Sequence, residues 1–549
     1  MNDGEHNRLT GTISSHPVIA TFVLCLLLVP FAKGSSLLMS GVDLGITFGI
    51  LTAFLLLMLN PFANKDKILI PVTSIVSALI FGVWGFLAGD KNLVITLGGF
   101  LVIAMTAAGI LVKNKRLSTS QIIALFFALG FLLRFSYVQY TSILDRQNDV
   151  GDFLEGYFDP HHAGYIQYIM HYNMVPNIDV RTMDQWYHPP FYHIVCAFFM
   201  KVYGAIFPGL KNNYEVLQML TLCYSTVAVI AIWKIFSLFE SKNSTKILIC
   251  AIINLFPQFT IIAGGINNDI LATMLFIMAV YYGILWYREQ KMSTIALIGL
   301  LIGLSMMTKI SSWMVAVPVG VMFLVILFKN EGYKKVKLWG EYLVFAVIAF
   351  PLGLWFPIRN LVEFGVPFTY IFTPYYEFND VTNYSILERI FAFQIPTESG
   401  YNILTNTIYT ALFDDDSYRE LPVFGIISFL CLFAFMVLLI YVLVSFVMEI
   451  ISEVKGKSNI ENISLTLLLI AEIVSYVIFC IKYPYICTMN YRYIIPITIT
   501  LCLCLGRLSD RLDGNTKLSI PRWFLYGSTV IFCSLSTIFY LALWVADKM

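Results

Sequence analysis

Apolar residues in this chain run in long blocks broken by short polar stretches. A helix needs roughly 20 apolar residues to cross a bilayer core, so each block predicts a membrane-spanning helix. Five blocks come first, at 17–33, 46–60, 68–89, 92–112 and 121–138. A long polar stretch follows. Blocks resume at 215–238, 246–263, 269–287, 294–308, 311–328 and 338–357. After a second polar stretch come 422–447, 463–482, 491–506 and 522–544. The pattern predicts an all-α polytopic membrane protein with about fifteen spans. No internal repeat is visible, which disfavours a transporter built from inverted halves.

Basic residues orient these spans. Lys65 and Lys67 lie in one connection, and Lys113, Lys115 and Arg116 in another. Positively charged connections stay in the cytoplasm, so the amino terminus is expected inside and the polar stretch after Val138 outside. One further apolar run, Phe191 to Phe207, does not fit as a span. Crossing there would turn Lys242, Lys246 and the cluster Lys329, Lys334, Lys335 and Lys337 outward. With His193, Lys201 and several aromatics, it is expected to lie as a helix in the outer interface. The chain then divides into an amino-terminal extension of four spans, 1–118, and a core, 119–549, with outer loops at 139–214 and 358–420.

Composition agrees with this picture. The 549 residues are 58% hydrophobic and 13% charged, too little charge to cover a soluble surface. The net charge of +1 gives no field suited to nucleic acid. The ten cysteines fall mostly inside apolar runs without metal-ligand spacing, as small buried hydrophobes do. The first apolar run lacks a cleavage site of small residues and is expected to be a retained span.

The chemistry gathers in the first outer loop. Between about 139 and 190 it carries seven carboxylates, at Asp145, Asp149, Asp152, Glu155, Asp159, Asp179 and Asp184, against Arg146 and Arg181. Five of the seven histidines lie at 161, 162, 171, 188 and 193. In the second loop, Asp414, Asp415 and Asp416 could hold a cation, but a solvated turn is the expected state.

These residues fall into motifs. Asp145-Arg146-Gln147-Asn148-Asp149-Val150-Gly151 follows a span, and Tyr187-His188-Pro189-Pro190 precedes the interfacial helix. Phe256-Pro257 and Asn268-Asp269 come next, then Gly299, Gly303 and Leu304 leading to Thr308-Lys309. Arg359-Asn360 with Gly365-Val366-Pro367-Phe368 and Arg492-Tyr493 with Pro496 complete the series. In this order the motifs resemble those of the GT-C glycosyltransferases, in the branch of protein O-mannosyltransferases and lipid A aminoarabinose transferases. The four leading spans are extra to that core. The acidic motif also departs from the mannosyltransferases' plain Asp-Glu pair. No Trp-Trp-Asp motif occurs, so an oligosaccharyltransferase is not expected.

The resemblance implies a GT-C fold and transfer of a sugar from a polyprenyl-phosphate carrier to an acceptor hydroxyl, with inversion, on the outer side of a plasma membrane. The acceptor would be a protein, a lipid or a polysaccharide. Such a reaction needs a general base at the attacking hydroxyl, for which Asp149 is the first candidate and Asp145 the second. The leaving phosphate needs cationic donors, for which Arg492, Arg359 and Lys309 are candidates. His161, His162, Tyr165, Gln185, His188, His193, Asn268 and Asp269 are the candidate substrate contacts. Each has a structural alternative, such as histidines bonded to neighbouring loops, or Asn268 and Asp269 capping a helix. No metal ligand set is assigned, and a divalent cation is the one cofactor left open. Two other classes share the span count: a transporter or flippase of a lipid-linked sugar, and a non-catalytic scaffold of the same fold. A transporter predicts charges deep in the spans, where Glu472 is the one clear example.

Overall fold

The computed structural model describes residues 16–31, 40–59, 69–88, 117–144, 149–371, 380–395, 400–414 and 422–546. The expected span at 92–112 and the candidate base Asp145 lie outside the described residues. Among those residues every regular element is helical, and a single bridge between Asp380 and Tyr485 is the one extended pairing. Ten helices there are long and apolar enough to cross a membrane, so the chain is an all-helical integral membrane protein.

The first helices are α1 (Pro17–Leu28), α2 (Gly41–Leu59) and α3 (Leu69–Ala88). They coincide with the first three predicted spans, although their described apolar parts are shorter than those of the ten. Helices α2 and α3 pack closely against each other, while α1 lies on the core helix Gln218–Ser237. The core begins with α4 (Thr119–Tyr140). Its start is fixed by a capping box, in which Ser118 accepts from the Gln121 amide and Gln121 answers to the Ser118 amide.

The polar stretch after α4 is partly helical. It holds α5 (His162–Tyr172) and α6 (Phe191–Ile206). The 16 residues of α6 bury Tyr192, His193, Cys196, Ala197, Met200 and Tyr203 along one face. Phe198, Val202 and Ile206 are exposed on the other, the two-faced pattern expected of an interfacial helix.

Then come α7 (Gln218–Ser237), α8 (Asn243–Leu255), α9 (Pro257–Gly264), α10 (Asp269–Glu289), α11 (Met292–Met306), α12 (Ala316–Lys329) and α13 (Gly332–Phe364). The predicted span 246–263 is thus two helices, because Pro257 has no N–H to continue α8 and starts α9 instead. Helix α13 is longer than predicted, with 33 residues, and stops where Gly365 turns left-handed at φ +65°.

The second polar stretch, expected as an outer loop, contains α14 (Ile386–Phe391) and the buried α15 (Ile403–Phe413). Polar side chains hold α15 among the later helices, α16 (Pro422–Val454), α17 (Ile460–Lys482), α18 (Thr498–Asp513) and α19 (Ser519–Ala546). Thr407 bonds the Tyr476 hydroxyl at 2.8 Å, and Tyr540 donates to the Leu412 carbonyl at 2.6 Å. Asp414, expected in a solvated turn, is instead buried and accepts from Asn490 Nδ2 at 3.2 Å. Asp415 and Asp416 lie outside the described residues.

Helix α10 runs between two polar layers. Asp269 stands at its amino end, beside the motif residues. At its other end Arg288 pairs with Glu461 at 2.7 Å, near Arg507 and Arg511, which both pair with Glu449. Its 21 residues separate the layers by about 30 Å, the thickness of a bilayer core.

Candidate active site

Asp149 is held by backbone before any side chain is considered. The first amides of a helix lack partners within the helix. In α5 two of these early amides are satisfied by the acidic loop: His162 N donates to Asp149 O at 3.3 Å and Ala163 N to Val150 O at 2.8 Å. The loop makes this approach through positive φ at Asp149 (+66°) and Gly151 (+66°). Asp tolerates that region better than most side chains, but it is strained there.

The Asp149 carboxylate then meets the end of the chain. Arg492 donates to Asp149 Oδ2 at 2.7 Å and to the Tyr493 hydroxyl at 3.0 Å. Asn490 positions this arginine by accepting from its amide at 2.9 Å. Desolvation by surrounding protein pushes the Asp149 carboxyl up, but Arg492, His162 and Lys309 outweigh it and hold it below the usual 3.8. Arg492 Nε also faces Asp269 Oδ2 at 3.8 Å. Lys309 closes the group by donating to Asp269 Oδ1, with its ammonium 4.6 Å from the Tyr493 ring centre. Two cations and two carboxylates thus meet at one end of the bundle. Asn268 and Asp269 do not cap α10 through their side chains. Asn268 Nδ2 donates to Thr308 O at 3.0 Å, so both residues anchor the turn that carries Lys309.

Behind the carboxylate lies a sealed aromatic layer. His162 Nδ1 and His193 Nε2 are 2.9 Å apart, and Tyr165 stacks between His193 (4.0 Å) and Trp186 (5.1 Å). His162, His193 and Tyr165 are fully buried, so the structure places these three candidates beneath the site surface rather than on it. Burial pushes the His162 imidazole down to about 4, and it holds His188 and His193 well below the usual 6.5. His161 goes the other way. Bonds from Asp184 and Asp159, at 3.4 and 2.6 Å, raise it to about 9 against the opposing effect of burial.

His188 lines a small open cleft of about 30 Å³ between the loop before α6 and the end of α13. Gln185 joins Asp184 to His188, at 3.1 Å on each side. Arg359 does not join the cationic group. It donates to Pro176 O at 2.8 Å and to Asn360 Oδ1 at 2.6 Å, bracing the loop after α5 on α13. Snorkelling position alone could not distinguish it from Arg492. Asn490 was not singled out from sequence, because its contact is to a backbone amide two residues on.

Comparison with known proteins agrees with the sequence resemblance over part of the chain. Residues 187–355 match the family described as dolichyl-phosphate-mannose-protein mannosyltransferase, a GT-C glycosyltransferase family. That segment runs from Tyr187 through Lys309 into α13 and indicates a glycosyltransferase. Two solved structures share similarity at low identity. One is the oligosaccharyltransferase AglB from Archaeoglobus fulgidus with an inhibitory peptide and a dolichol-phosphate (12% identity, 77% of this chain and 55% of that one, TM-score 0.42). The other is an Archaeoglobus fulgidus oligosaccharyltransferase in the apo form (13% identity, 78% of this chain and 56% of that one, TM-score 0.42). The chain therefore spans little more than half the length of those structures. No curated protein matches it.

Proposed function

We propose that this protein transfers a sugar from a polyprenyl-phosphate carrier to an acceptor hydroxyl at the extracytoplasmic face, with inversion. The observation that carries this reading is the pairing of Asp149 with Arg492 beside Lys309 and Asp269. A carboxylate able to take a proton stands against two cations able to take a phosphate. The acceptor oxygen attacks the anomeric carbon, its proton passes to Asp149, and the bond to the phosphate oxygen breaks with its electrons going to the phosphate. Arg492 and Lys309 steady that developing charge.

The arrangement also makes the base conditional. In the resting site Arg492 holds Asp149 ionised and weakly basic. An arriving lipid phosphate competes for Arg492. As the guanidinium turns to it, Asp149 loses a charge partner and becomes a stronger base. Proton abstraction is thereby coupled to donor binding.

A divalent cation finds no fitting donor set among the described residues. Among the described residues no group of three His, Cys, Asp or Glu is placed to hold a metal ion, and both site carboxylates are compensated by Arg492 and Lys309. No step is therefore routed through a metal.

The test is transfer from polyprenyl-phosphate-linked sugars by the double variant Asp145→Asn, Asp149→Asn. Removing a general base costs about 10²- to 10⁴-fold. Transfer at the wild-type rate would overturn the assignment.

A further inference from the structure

Asp414 closes α15 with φ +58° and ψ −150°, a combination that glycine alone takes freely, and it is buried. Strain of this kind persists only where the surroundings hold it, and it gathers at functional sites. Here the carboxylate reaches Asn490, whose Nδ2 donates to Asp414 Oδ1 at 3.2 Å. Asn490 is fully buried, and the other end of its amide, Oδ1, accepts from Arg492 N at 2.9 Å. One turn back along α15, Thr410 Oγ1 accepts from the Tyr491 amide at 2.9 Å. The end of α15 thus grips Asn490 and Tyr491, and Arg492 carries the connection on to Asp149 at 2.7 Å. This chain of contacts begins and ends on an aspartate at positive φ.

We propose that Asp414 is a positioning residue for Arg492, acting through the Asn490 amide, and so sets where the guanidinium meets Asp149. The reason lies in the two ends of an amide. Asn490 could turn either its oxygen or its NH₂ toward Arg492 N, and only the oxygen can accept there. A carboxylate accepts and does not donate, so Asp414 takes the NH₂ end and makes the reversed orientation costly. With the amide fixed, the backbone of Arg492 is fixed, and its side chain sets out from one place. A solvated turn would need neither the burial nor the left-handed backbone of Asp414. Asp414 works through Asn490 and takes no part in the chemical step itself. Its effect on rate rests on the glycosyl-transfer reading, whereas its hold on Arg492 does not.

The experiment uses the full chain in detergent, with polyprenyl-phosphate-linked sugars as donors. Asp414→Gly removes the acceptor and also relieves the backbone, so a role in chain shape alone predicts transfer at the wild-type rate. The positioning role predicts a loss of about tenfold or more. Asp149 is faced by Arg492, His162 and Lys309, which hold its carboxyl down, with the Tyr187 and Tyr493 hydroxyls close by. Loosening Arg492 weakens one of those three influences, so the acid limb of kcat/KM should move to higher pH in Asp414→Gly. Asp414→Asn keeps an oxygen for Asn490 Nδ2 and should recover most of the rate and of the limb. A wild-type rate or an unmoved limb in Asp414→Gly, or an Asp414→Asn variant equally impaired, would overturn the proposal. Thermal unfolding judges the contact without turnover. Asp149→Asn breaks the pair with Arg492, and it should lower the unfolding temperature less in the Asp414→Gly background than in the wild type. Equal losses in the two backgrounds would overturn the positioning role. If the wild type transfers no sugar while the losses still differ, the positioning stands and the glycosyl-transfer reading falls.

Discussion

Arg492 donates to Asp149 at 2.7 Å across 343 residues of chain, and the two come from opposite sides of the core sequence. The pairing holds the free Asp149 carboxyl below 3.8 despite its desolvation. A lipid phosphate that draws Arg492 away should raise it. The pH dependence of kcat/KM reports the free enzyme and that of kcat reports the bound complex. The acid limb of kcat is therefore expected at higher pH than that of kcat/KM. Coincident limbs would show that Arg492 does not change partners. The linkage to stability has the matching sign. A depressed carboxyl stabilises the fold above its unfolded value of about 3.8, and the contribution is lost as pH falls through the lower folded value.

Lys309 and Asp269 form a second pair whose worth is testable by removing one partner and then both. Their side chains are 16% and 4% exposed. Asp269→Asn leaves a mostly buried ammonium short of its counter-ion, which costs about 3–5 kcal/mol in buried pairs. The double variant Asp269→Leu, Lys309→Met removes both charges and should recover most of that loss. Thermal unfolding in detergent measures both. A double variant no more stable than Asp269→Asn would show that the pair is not coupled.

His161 ties the loop around α5 together at neutral pH. Asp184 and Asp159 raise it to about 9, and Trp186 Nε1 donates to its carbonyl at 3.3 Å. Because the folded value lies above the unfolded 6.5, its contribution is complete below 6.5 and is lost as pH rises through about 9. Limited proteolysis of residues 149–188 should therefore speed up between about pH 7 and about pH 10. In His161→Gln the rate should start higher and lose this particular rise. An unchanged pH response in the variant would rule out His161 as the titrating group.

Much of this architecture was legible as hydrophobic blocks, because lipid demands long apolar helices and leaves few other ways to satisfy backbone. Motif order singled out Asp149, Lys309 and Arg492, which the fold brings together with Asp269. The misreadings have a common cause. In sequence, helix α15 reads as loop because its eleven residues include Asn406, Thr405, Thr407 and Thr410, polar groups that bond inside the bundle instead of to water. Arg359 was grouped with Arg492 because both are arginines near span ends. Only the fold shows that one guanidinium meets Asp149 and the other Asn360. Burial of Tyr165, His162 and His193 also depended on packing between α5 and α6, which a pattern of aromatics does not specify.

The two loop glycines with positive φ offer a last discrimination. Gly151 and Gly156 sit at +66° and +77°, where any added Cβ is strained. At Gly156 a Cβ would meet nothing within 4 Å, so Gly156→Ala should cost only the backbone term, about 1 kcal/mol, and leave transfer intact. At Gly151 the Cβ would fall 2.1 Å from Asp159 Oδ1 and 2.6 Å from His161 Cβ. Relief requires moving Asp159 away from His161 or shifting the loop that carries Asp149. Gly151→Ala should therefore lose transfer by about 10²-fold, as a misplacement near 1 Å can cause. It should also lower the His161 pKa, readable by NMR titration. Equal behaviour of the two alanine variants would show that Asp149 is not positioned through this turn.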